Sequence, residues 1–306
     1  MASTATIRTA PDLLFDALVD GPQDAREDAP LVLFLHGFAE SFHTWHAQIA
    51  AVAAAGYRAL APSQRGYSAG ARPDTRATSH YAFANLVEDA MAIVAAAGYG
   101  DKYFHLVGHD WGGSIAWGIA DRYPDRLASL TILSRPHPNA FNRALALPDG
   151  EQKHRSRHHR AFLEPDAAAV VLADNAAWLR VRWDAAGMPR AAQEKHLAVL
   201  GNPAAMEAAL AWYRARGAIR SPLGKIRVPT LYLWGDADDT VGRVAAEGTR
   251  DELIGPYHFA VLPGGSHFTQ DQMPDAVNAL LLAHLARYPV DAAKNKPLPP
   301  RGGRGW

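Results

Sequence analysis

The chain has 306 residues, in which 31 lysine and arginine residues balance 31 aspartate and glutamate residues and hydrophobic residues make up 48%. This length suffices for two units, or for one large α/β domain with an insertion and a sizeable core. A formal net charge of zero lacks the electrostatic attraction on which most nucleic-acid-binding proteins depend, so we do not expect a nucleic-acid partner. The lack of cysteine excludes disulfide scaffolds, thiolate zinc sites and a cysteine nucleophile, and fits a reducing compartment.

The N-terminal residues lack the basic region and apolar run of a signal peptide. No stretch approaches the roughly 18 apolar residues needed to span a bilayer. We therefore expect a soluble, cytoplasmic protein without a membrane partner. Residues 291–306 are rich in proline and glycine and poor in apolar residues, which predicts a flexible C-terminal tail.

Short apolar runs rich in Val, Leu, Ile and Tyr alternate with alanine-rich segments of helical character. The runs lie at residues 31–35, 58–61, 104–107, 130–133, 230–233 and 258–262. A helix is predicted over residues 83–97, because its apolar residues share one face and Gly98 follows its C-terminal end. Strands that alternate with helices predict an α/β sandwich with a mostly parallel central sheet flanked by helices.

This alternation is interrupted between Pro136 and Pro222, where helical patterns follow one another without a convincing strand. The alternation resumes at Val228. The pattern predicts a helical cap, residues 137–222, inserted into a core formed by residues 1–136 and 223–290. The first part of the cap is basic and rich in histidine, which is typical of a solvated helix face.

A candidate nucleophile lies at the end of the third predicted strand. This strand runs directly into Gly108-His109-Asp110-Trp111-Gly112-Gly113 and then into a helix. A strand, a sharp turn and a helix form a nucleophile elbow, in which small residues flank a strained residue at the carboxyl edge of the sheet. Asp110 stands where esterases have serine.

Ser68 offers a rival, because Gly66-Tyr67-Ser68-Ala69-Gly70 matches the G-x-S-x-G pattern literally. The segment is followed by Ala71-Arg72-Pro73, so no helix begins there. Without that helix the motif does not indicate a nucleophile.

The tripeptide His36-Gly37-Phe38 follows the first predicted strand. Gly37 lets the backbone turn and direct the Phe38 N–H into the site. Together with the N–H of Trp111, the residue after the candidate nucleophile, it predicts an oxyanion hole. A plain turn at a strand end is the alternative for the tripeptide alone.

The remaining catalytic candidates follow the last two strands. Of the carboxylates in Asp236-Ala237-Asp238-Asp239, Asp238 has the spacing that we favour for orienting a histidine, and its acidic neighbours would be solvated or cap a helix. His267 lies in the loop after the last strand and is the predicted base, because the order nucleophile, acid, histidine accompanies a nucleophile elbow. His109 is expected to pack against the elbow.

The motifs HGF, GHDWGG, GDAD and GGSH occur in this order over nearly the whole chain. With them the chain resembles the α/β-hydrolase superfamily. The aspartate in the elbow narrows the resemblance to epoxide hydrolases and haloalkane dehalogenases, and Arg65-Gly66-Tyr67-Ser68 is similar to a turn of epoxide hydrolases. The resemblance implies an α/β-hydrolase fold, a small-molecule substrate, and no metal or organic cofactor.

Epoxide hydrolases usually carry two cap tyrosines that hydrogen-bond the epoxide oxygen. Residues 211–215, AWYRA, resemble the second of these motifs, which makes Tyr213 the candidate donor. The first tyrosine usually lies four residues before a phenylalanine, and counting back from Phe162 gives His158. This arrangement resembles the His/Tyr pair of some bacterial epoxide hydrolases. The alternatives are a surface role for His158 and a helix-core role for Tyr213.

The resemblance implies conversion of an epoxide to a vicinal diol through an alkyl-enzyme ester on Asp110, since a carboxylate suits attack on an sp³ carbon. A haloalkane dehalogenase is the chemical alternative, with indole N–H groups of Trp111 and of Trp178 or Trp183 as halide donors. A weak esterase and a catalytically idle binding protein are further alternatives. The candidates for lining the substrate pocket are His36, His109, Trp178, Trp183 and Trp212. The sequence leaves the oligomeric state open, a homodimer included.

Overall fold

The computed structural model describes residues 2–22, 29–148, 150–215 and 222–290. The predicted tail, residues 291–306, lies outside the described residues. The strands described are β1 (Ser3–Ala10), β2 (Leu13–Asp20), β3 (Leu31–Leu35), β4 (Arg58–Pro62), β5 (Phe104–His109), β6 (Leu127–Leu133), β7 (Thr230–Gly235) and β8 (Tyr257–Leu262). They form one sheet in the order β1-β2-β4-β3-β5-β6-β7-β8.

The sheet is parallel from β4 to β8 and antiparallel at its N-terminal edge. The parallel strands are the six that the sequence predicts, and the predicted α/β fold with a mostly parallel sheet is confirmed. The sequence analysis missed β1 and β2. Strand β1 alternates small polar residues with few large apolar ones, because it lies at the sheet edge with much of its surface exposed.

The helices described are α1 (His46–Ala54), α2 (Phe83–Val94), α3 (Asp110–Arg122), α4 (Pro138–Ala146), α5 (Glu151–Arg155), α6 (His158–Ala161), α7 (Ala167–Ala185), α8 (Arg190–Leu200), α9 (Pro203–Ala215), α10 (Arg243–Gly248), α11 (Thr269–Gln272) and α12 (Pro274–Arg287). Strand β3 is buried along its whole length, because helices cover both faces of the sheet. Apolar residues of α1 and α12 form a core on one face, and those of α2 and α3 on the other.

The helix predicted over residues 83–97 ends earlier than expected. Helix α2 stops at Val94 and is followed by a wider turn, Ala95–Tyr99, in which Gly98 adopts a φ of +88°. Glycine adopts this left-handed conformation without a steric penalty. Because the conformation is not that of a right-handed helix, α2 cannot continue through it. Within the described ranges, no helix is long and apolar enough to cross a membrane.

The segment for which a cap was predicted carries helices α4 to α9 in its described residues. Helix α9 packs against the turn after β4, where the indole Nε1 of Trp212 donates a hydrogen bond to the Arg65 carbonyl at 3.0 Å. Helix α7 is broken near its middle, because Asp174, Asn175 and Ala176 all have left-handed backbone angles, with φ between +51° and +58°. The two helices thus differ in regularity although they contact each other.

Candidate active site

Asp110 is the first residue of α3, directly after β5, and has a strained φ of +47°. Close backbone approaches surround it. A Cβ atom at Gly112 would lie 2.1 Å from the Leu35 carbonyl oxygen, and one at Gly37 would lie 2.5 Å from the Cβ of Asp110. The glycines of both motifs are therefore required for β3, β5 and α3 to meet, and this meeting point presents the Asp110 side chain.

The carboxylate of Asp110 is surrounded by groups that favour its charge. The Phe38 N–H donates a hydrogen bond to its Oδ1 at 3.0 Å. The Trp111 N–H lies in the first turn of α3, where backbone N–H groups have no acceptor within the helix. Burial acts to raise the pKa of Asp110, but His267, Arg135 and the Phe38 N–H outweigh it and lower the pKa. The nucleophile candidate is thus ionised at neutral pH.

His267 lies between two carboxylates. Its Nδ1 is 3.0 and 3.1 Å from the two oxygens of Asp238, and its Nε2 is 3.8 Å from Asp110 Oδ2. Asp238 is fully buried and accepts backbone hydrogen bonds from Thr240 and Val241 at 2.7 and 2.9 Å. This arrangement fixes the imidazole with Nε2 toward Asp110.

The other two carboxylates of the acidic trio have different contacts. Asp236 accepts a hydrogen bond from the Gly264 N–H at 2.7 Å, and Asp239 lies 3.1 Å from the guanidinium of Arg182. Neither carboxylate has a hydrogen bond to His267 among the described residues. Asp238 is therefore the member of the trio that the fold brings to the histidine.

The charge of His267 depends on its acidic neighbours. Burial alone would lower its pKa, but Asp238, Asp110 and Asp239 together raise the pKa to about 9. In the resting state the ring is therefore an imidazolium. Loss of the Asp110 charge would remove one of the interactions that hold the proton, and the pKa of His267 would then fall.

Tyr213 lies on α9 and packs against the side chains of the two residues predicted to form the oxyanion hole. Its ring centroid is 5.1 Å from that of Trp111 and 5.6 Å from that of Phe38, both in edge-to-face geometry. Phe162 closes the other side at 4.9 Å. The tyrosine is 6% exposed. Edge-to-face contacts hold an aromatic ring in a defined orientation, so the cap presents this side chain above the elbow.

The two histidines at the start of α6 have different surroundings. The His159 ring lies 5.4 Å from the Tyr213 ring, whereas the His158 ring packs on Phe162 at 5.5 Å. Burial, with Arg182 nearby, lowers the pKa of His158 to about 4. His158 is therefore neutral at pH 7 and offers an N–H donor without a positive charge. The sequence analysis singled out His158 and overlooked His159, which is a neighbour of Tyr213.

A cavity of about 790 Å³ opens between α5, α6 and α7. His158, Phe162, Trp178 and Asp239 are among its lining residues. Phe162 also contacts Tyr213, so the cavity reaches the vicinity of the elbow. Trp178 is thus the pocket candidate that lies at an open surface.

Four other pocket candidates do not lie at an open surface, and their contact with substrate stays a prediction. His36, His109 and Trp183 are 0% exposed and Trp212 is 1% exposed. His36 accepts a hydrogen bond from the Gln64 N–H, and Trp183 packs against His196. Their bulk fills the core and the cap interior, because the strand ends and helix faces that carry them are covered on all sides.

His109 instead belongs to a buried polar network that the sequence analysis missed. Its Nδ1 lies 2.8 Å from Glu40 Oε2, and its Nε2 lies 2.9 Å from the His267 carbonyl oxygen. Through these two contacts the ring ties the His267 loop to the loop after β3. The one signal in the sequence that could have indicated this network was Glu40, a carboxylate four residues after His36.

Within the described parts of the chain, Glu40, His196 and Asp271 form the group that could hold a metal, since their ligand atoms lie within 4.8 Å of one another. Hydrogen bonds already engage them. Glu40 Oε1 accepts from Gln270 Nε2 at 2.8 Å, and His196 Nδ1 accepts from the Ser41 N–H at 3.1 Å. Burial and Glu40 raise the pKa of Asp271 well above its ordinary value, and the Thr44 hydroxyl donates a hydrogen bond to its carboxyl group. These groups fit a hydrogen-bond network better than a cation site.

Ser68 has a structural position. Its Oγ donates to the Ser63 carbonyl at 2.7 Å and accepts from the Asp16 N–H at 2.9 Å. These bonds pin the turn after β4 to β2. The short turn that follows Ser68, Ala69–Ala71, is not an elbow helix.

Comparison with known proteins agrees with this architecture. The family model described as alpha/beta hydrolase fold matches residues 30–274. The chain belongs to this family. Among α/β-hydrolases, the AB hydrolase superfamily protein YfhM of Bacillus subtilis is 30% identical over 269 residues, which cover 85% of this chain and 91% of that protein. Epoxide hydrolase 4 of Mus musculus is 30% identical over 267 residues, covering 84% and 73% of the two chains.

The solved structures include a similar α/β-hydrolase. It is an epoxide hydrolase from metagenomes of hot environments, with a TM-score of 0.80 and 28% sequence identity. The superposition covers 93% of this chain and 99% of that chain. The relative therefore matches the strands and helices on both sides of the elbow.

Proposed function

We propose that this α/β-hydrolase is an epoxide hydrolase that converts an epoxide to a vicinal diol. The observation that carries the proposal is the carboxylate at the elbow, Asp110, with the paired His267 and Asp238 behind it. The similarity to epoxide hydrolases from a mammal and from metagenomes supports the same reaction.

In the first step, an oxygen of Asp110 attacks a ring carbon of the epoxide, and the bond between that carbon and the epoxide oxygen breaks. The electron pair of that bond goes to the departing oxygen, which takes a proton from the hydroxyl of Tyr213, assisted by the N–H of His158 or His159. The product of this step is an ester between Asp110 and the substrate. A positioned proton donor typically contributes about 10²- to 10⁴-fold to such a step.

In the second step, water attacks the carboxyl carbon of the Asp110 ester. Neutral His267 takes a proton from this water, and Asp238 stabilises the imidazolium that forms. The N–H groups of Phe38 and Trp111 hold the negative oxygen of the tetrahedral intermediate, at roughly 3–4 kcal/mol per donor. Collapse of the intermediate breaks the ester bond, and the leaving alkoxide takes the proton from the His267 imidazolium to give the diol. The remaining proton of the Asp110 carboxyl group passes through water to the Tyr213 phenolate, which restores both the carboxylate and the hydroxyl. Neither step requires a metal or organic cofactor.

The electrostatics of the site suit this order of events. Asp110 is ionised before the first step, as a nucleophile must be. Esterification then removes the Asp110 charge, which is one of the interactions that raise the pKa of His267. The histidine loses its proton more readily at the stage where a base is needed.

The halide-releasing alternative has less support from the geometry. Of the indole groups considered as halide donors, Trp183 is fully buried and packs against His196. Trp178 lines the outer cavity, and it packs against Phe162 and Arg182. Tyr213, in contrast, lies directly over Trp111, where an alkoxide would need a proton.

The experiment that tests the proposal incubates the protein with styrene oxide, an aliphatic terminal epoxide and a 1-bromoalkane, and measures diol and bromide separately. We expect diol without bromide. Intact-protein mass spectrometry of His267→Gln with styrene oxide should show an adduct of the substrate mass, because the first step proceeds without the base. Bromide without diol would move the function to dehalogenation, and diol formation without any adduct would contradict the covalent route.

A further inference from the structure

Arg135 is a buried cation to which the proposed reaction assigns no contact with the substrate. It follows β6, next to Ser134, and is 8% exposed. Its Nε donates a hydrogen bond to Ser114 Oγ at 2.7 Å, and its guanidinium carbon lies 4.5 Å from the ring centroid of Phe141. Neither Nη group donates a hydrogen bond to any of the residues that the structure describes.

Two other arginines that are equally buried have acceptors for their Nη groups. Arg126 donates to the Tyr99 and Lys102 carbonyls, and Arg180 forms an ion pair with Glu194 at 2.8 Å. Arg135 has no carboxylate within 4.0 Å in the described part of the chain. A buried charge without a paired charge is costly. The difference indicates that the Nη groups of Arg135 are available to bind a ligand.

Arg135 lies beside the reacting groups. Its bonded partner Ser114 is in the first turns of α3, and a Cβ atom at Gly113 would lie 2.8 Å from the Arg135 Cβ. The charge of Arg135 helps to lower the pKa of Asp110. The charged and titratable groups that act on Arg135 in return are Asp110, Tyr213 and Tyr232. Arg135 is therefore within electrostatic reach of both the nucleophile and the proton donor.

We propose that the guanidinium of Arg135 binds a carboxylate carried by the epoxide substrate. The proposal rests on the proposed function, since it names the substrate class of the same site. The planar guanidinium fork matches the two oxygens of a carboxylate in two parallel hydrogen bonds. The substrate class is thus a 2,3-epoxy acid, and the product is the corresponding 2,3-dihydroxy acid.

The charge balance of the site favours this class. A substrate carboxylate near the ionised Asp110 would be repelled, and Arg135 supplies the positive charge that offsets this repulsion. With the carboxylate on Arg135 and the epoxide oxygen on Tyr213, a ring carbon is presented to Asp110. The carboxylate takes no part in bond making, so the two steps balance as for an uncharged epoxide.

The test compares 2,3-epoxybutanoate with 2,3-epoxybutanamide, which has nearly the same shape and no charge. Both are assayed with the wild type, Arg135→Met and Arg135→Lys, and thermal unfolding checks that each variant is folded. We expect the wild type to prefer the acid in kcat/KM by about 10- to 100-fold, the gain of a charge-assisted hydrogen-bond pair. Arg135→Met should lose this preference, so that its kcat/KM falls about 10- to 100-fold more on the acid than on the amide, and Arg135→Lys should retain part of the preference.

Equal losses on the acid and the amide in Arg135→Met would overturn the inference, because they would assign Arg135 to the charge state of Asp110. A wild type that opens styrene oxide and the amide without preferring the acid would also overturn it, and the proposed function would stand. If the wild type opens none of the epoxides, both the inference and the proposed function are wrong. As a second readout, butanoate should inhibit styrene oxide turnover by the wild type more strongly than butanamide, and Arg135→Met should remove the difference.

Discussion

The core side and the cap side of the site are held in place by different forces. On the core side, Asp110 is fixed by a strained backbone, close glycine contacts and buried charges. On the cap side, Tyr213 is held by ring contacts with Phe162 and the residues of the elbow, at centroid distances of 4.9 to 5.6 Å. Backbone and charge constraints tolerate few substitutions, whereas ring packing tolerates changes of similar volume. The two sides should therefore respond differently to substitution.

The largest effect is expected on the core side at Asp110. Asp110→Asn should lower turnover of styrene oxide by at least about 10⁴-fold, because a neutral amide is a poor nucleophile and forms no ester. Steady-state diol production and intact-protein mass spectrometry check this. Asp74→Asn is the control for the same chemical change, since Asp74 pairs with Arg76 at the protein surface. Full activity of Asp110→Asn would remove the carboxylate from the mechanism.

Glu40→Gln should cause the next largest effect, on stability. The change leaves the His109 ring buried without its carboxylate, and breaking a buried ion pair costs about 3–5 kcal/mol. Urea unfolding measures the change in the free energy of unfolding. Glu207→Gln is the control, because its pair with Arg214 is partly exposed and should contribute less than about 1 kcal/mol. Similar values for the two variants would show that the core side is not held by charge.

Tyr213→Phe tests the cap side. The ring contacts remain and only the hydroxyl is lost, so we expect turnover of styrene oxide to fall about 10²-fold while thermal stability changes little. His158→Ala and His159→Ala, assayed beside it, sharpen the comparison between the two neighbouring histidines. An unchanged rate in Tyr213→Phe would limit Tyr213 to a packing role.

The smallest effect is expected in the pH dependence of stability. Burial lowers the pKa of His105 to about 3 and the pKa of His36, His196 and His284 to about 4. Between about pH 6.5 and pH 4 the unfolded chain binds more protons than the folded one, so stability falls as the pH falls through this window. His267, whose pKa is raised to about 9, acts oppositely, and its contribution is lost as the pH rises from about 6.5 to 9.

Thermal unfolding between pH 7.5 and pH 4.5 checks this window. His105→Leu should show a shallower fall than the wild type, since it removes one group that must be kept neutral in the fold. His80→Leu is the control, because His80 lies at an exposed turn. Equal slopes for the two variants would contradict the assignment.

Predictability from sequence follows the same division. The fold could be predicted because β3 to β8 are apolar runs between helices. Asp110, Phe38, Asp238 and His267 could be singled out as candidates because each lies in a short motif at a strand end. The partners of Glu40 could not be predicted from a local motif. Glu40 contacts Gln270, 230 residues further along the chain, and no local pattern encodes such a contact.

The roles of the cap histidines and of the buried Arg135 were harder still to predict from the sequence, for physical reasons. Counting from Phe162 gave His158, but the ring orientation that brings His159 toward Tyr213 depends on how α6 packs. Arg135 follows an ordinary apolar strand, and within the described residues its Nη groups lack the acceptors that Arg126 and Arg180 have. Side-chain direction and the absence of a partner are properties of the folded chain.

Helix α9 rests directly on the turn after β4. The Trp212 indole holds the Arg65 carbonyl, and Gly66, with φ +87°, leaves so little room that a Cβ atom there would lie 3.0 Å from the Cβ of Ala208. The helix that carries Tyr213 is therefore anchored to the turn that follows β4 as well as to Phe162 and α7. Substitutions on α5, at the outer side of the cavity, should accordingly change which molecules enter with less effect on the alignment of proton donor and nucleophile.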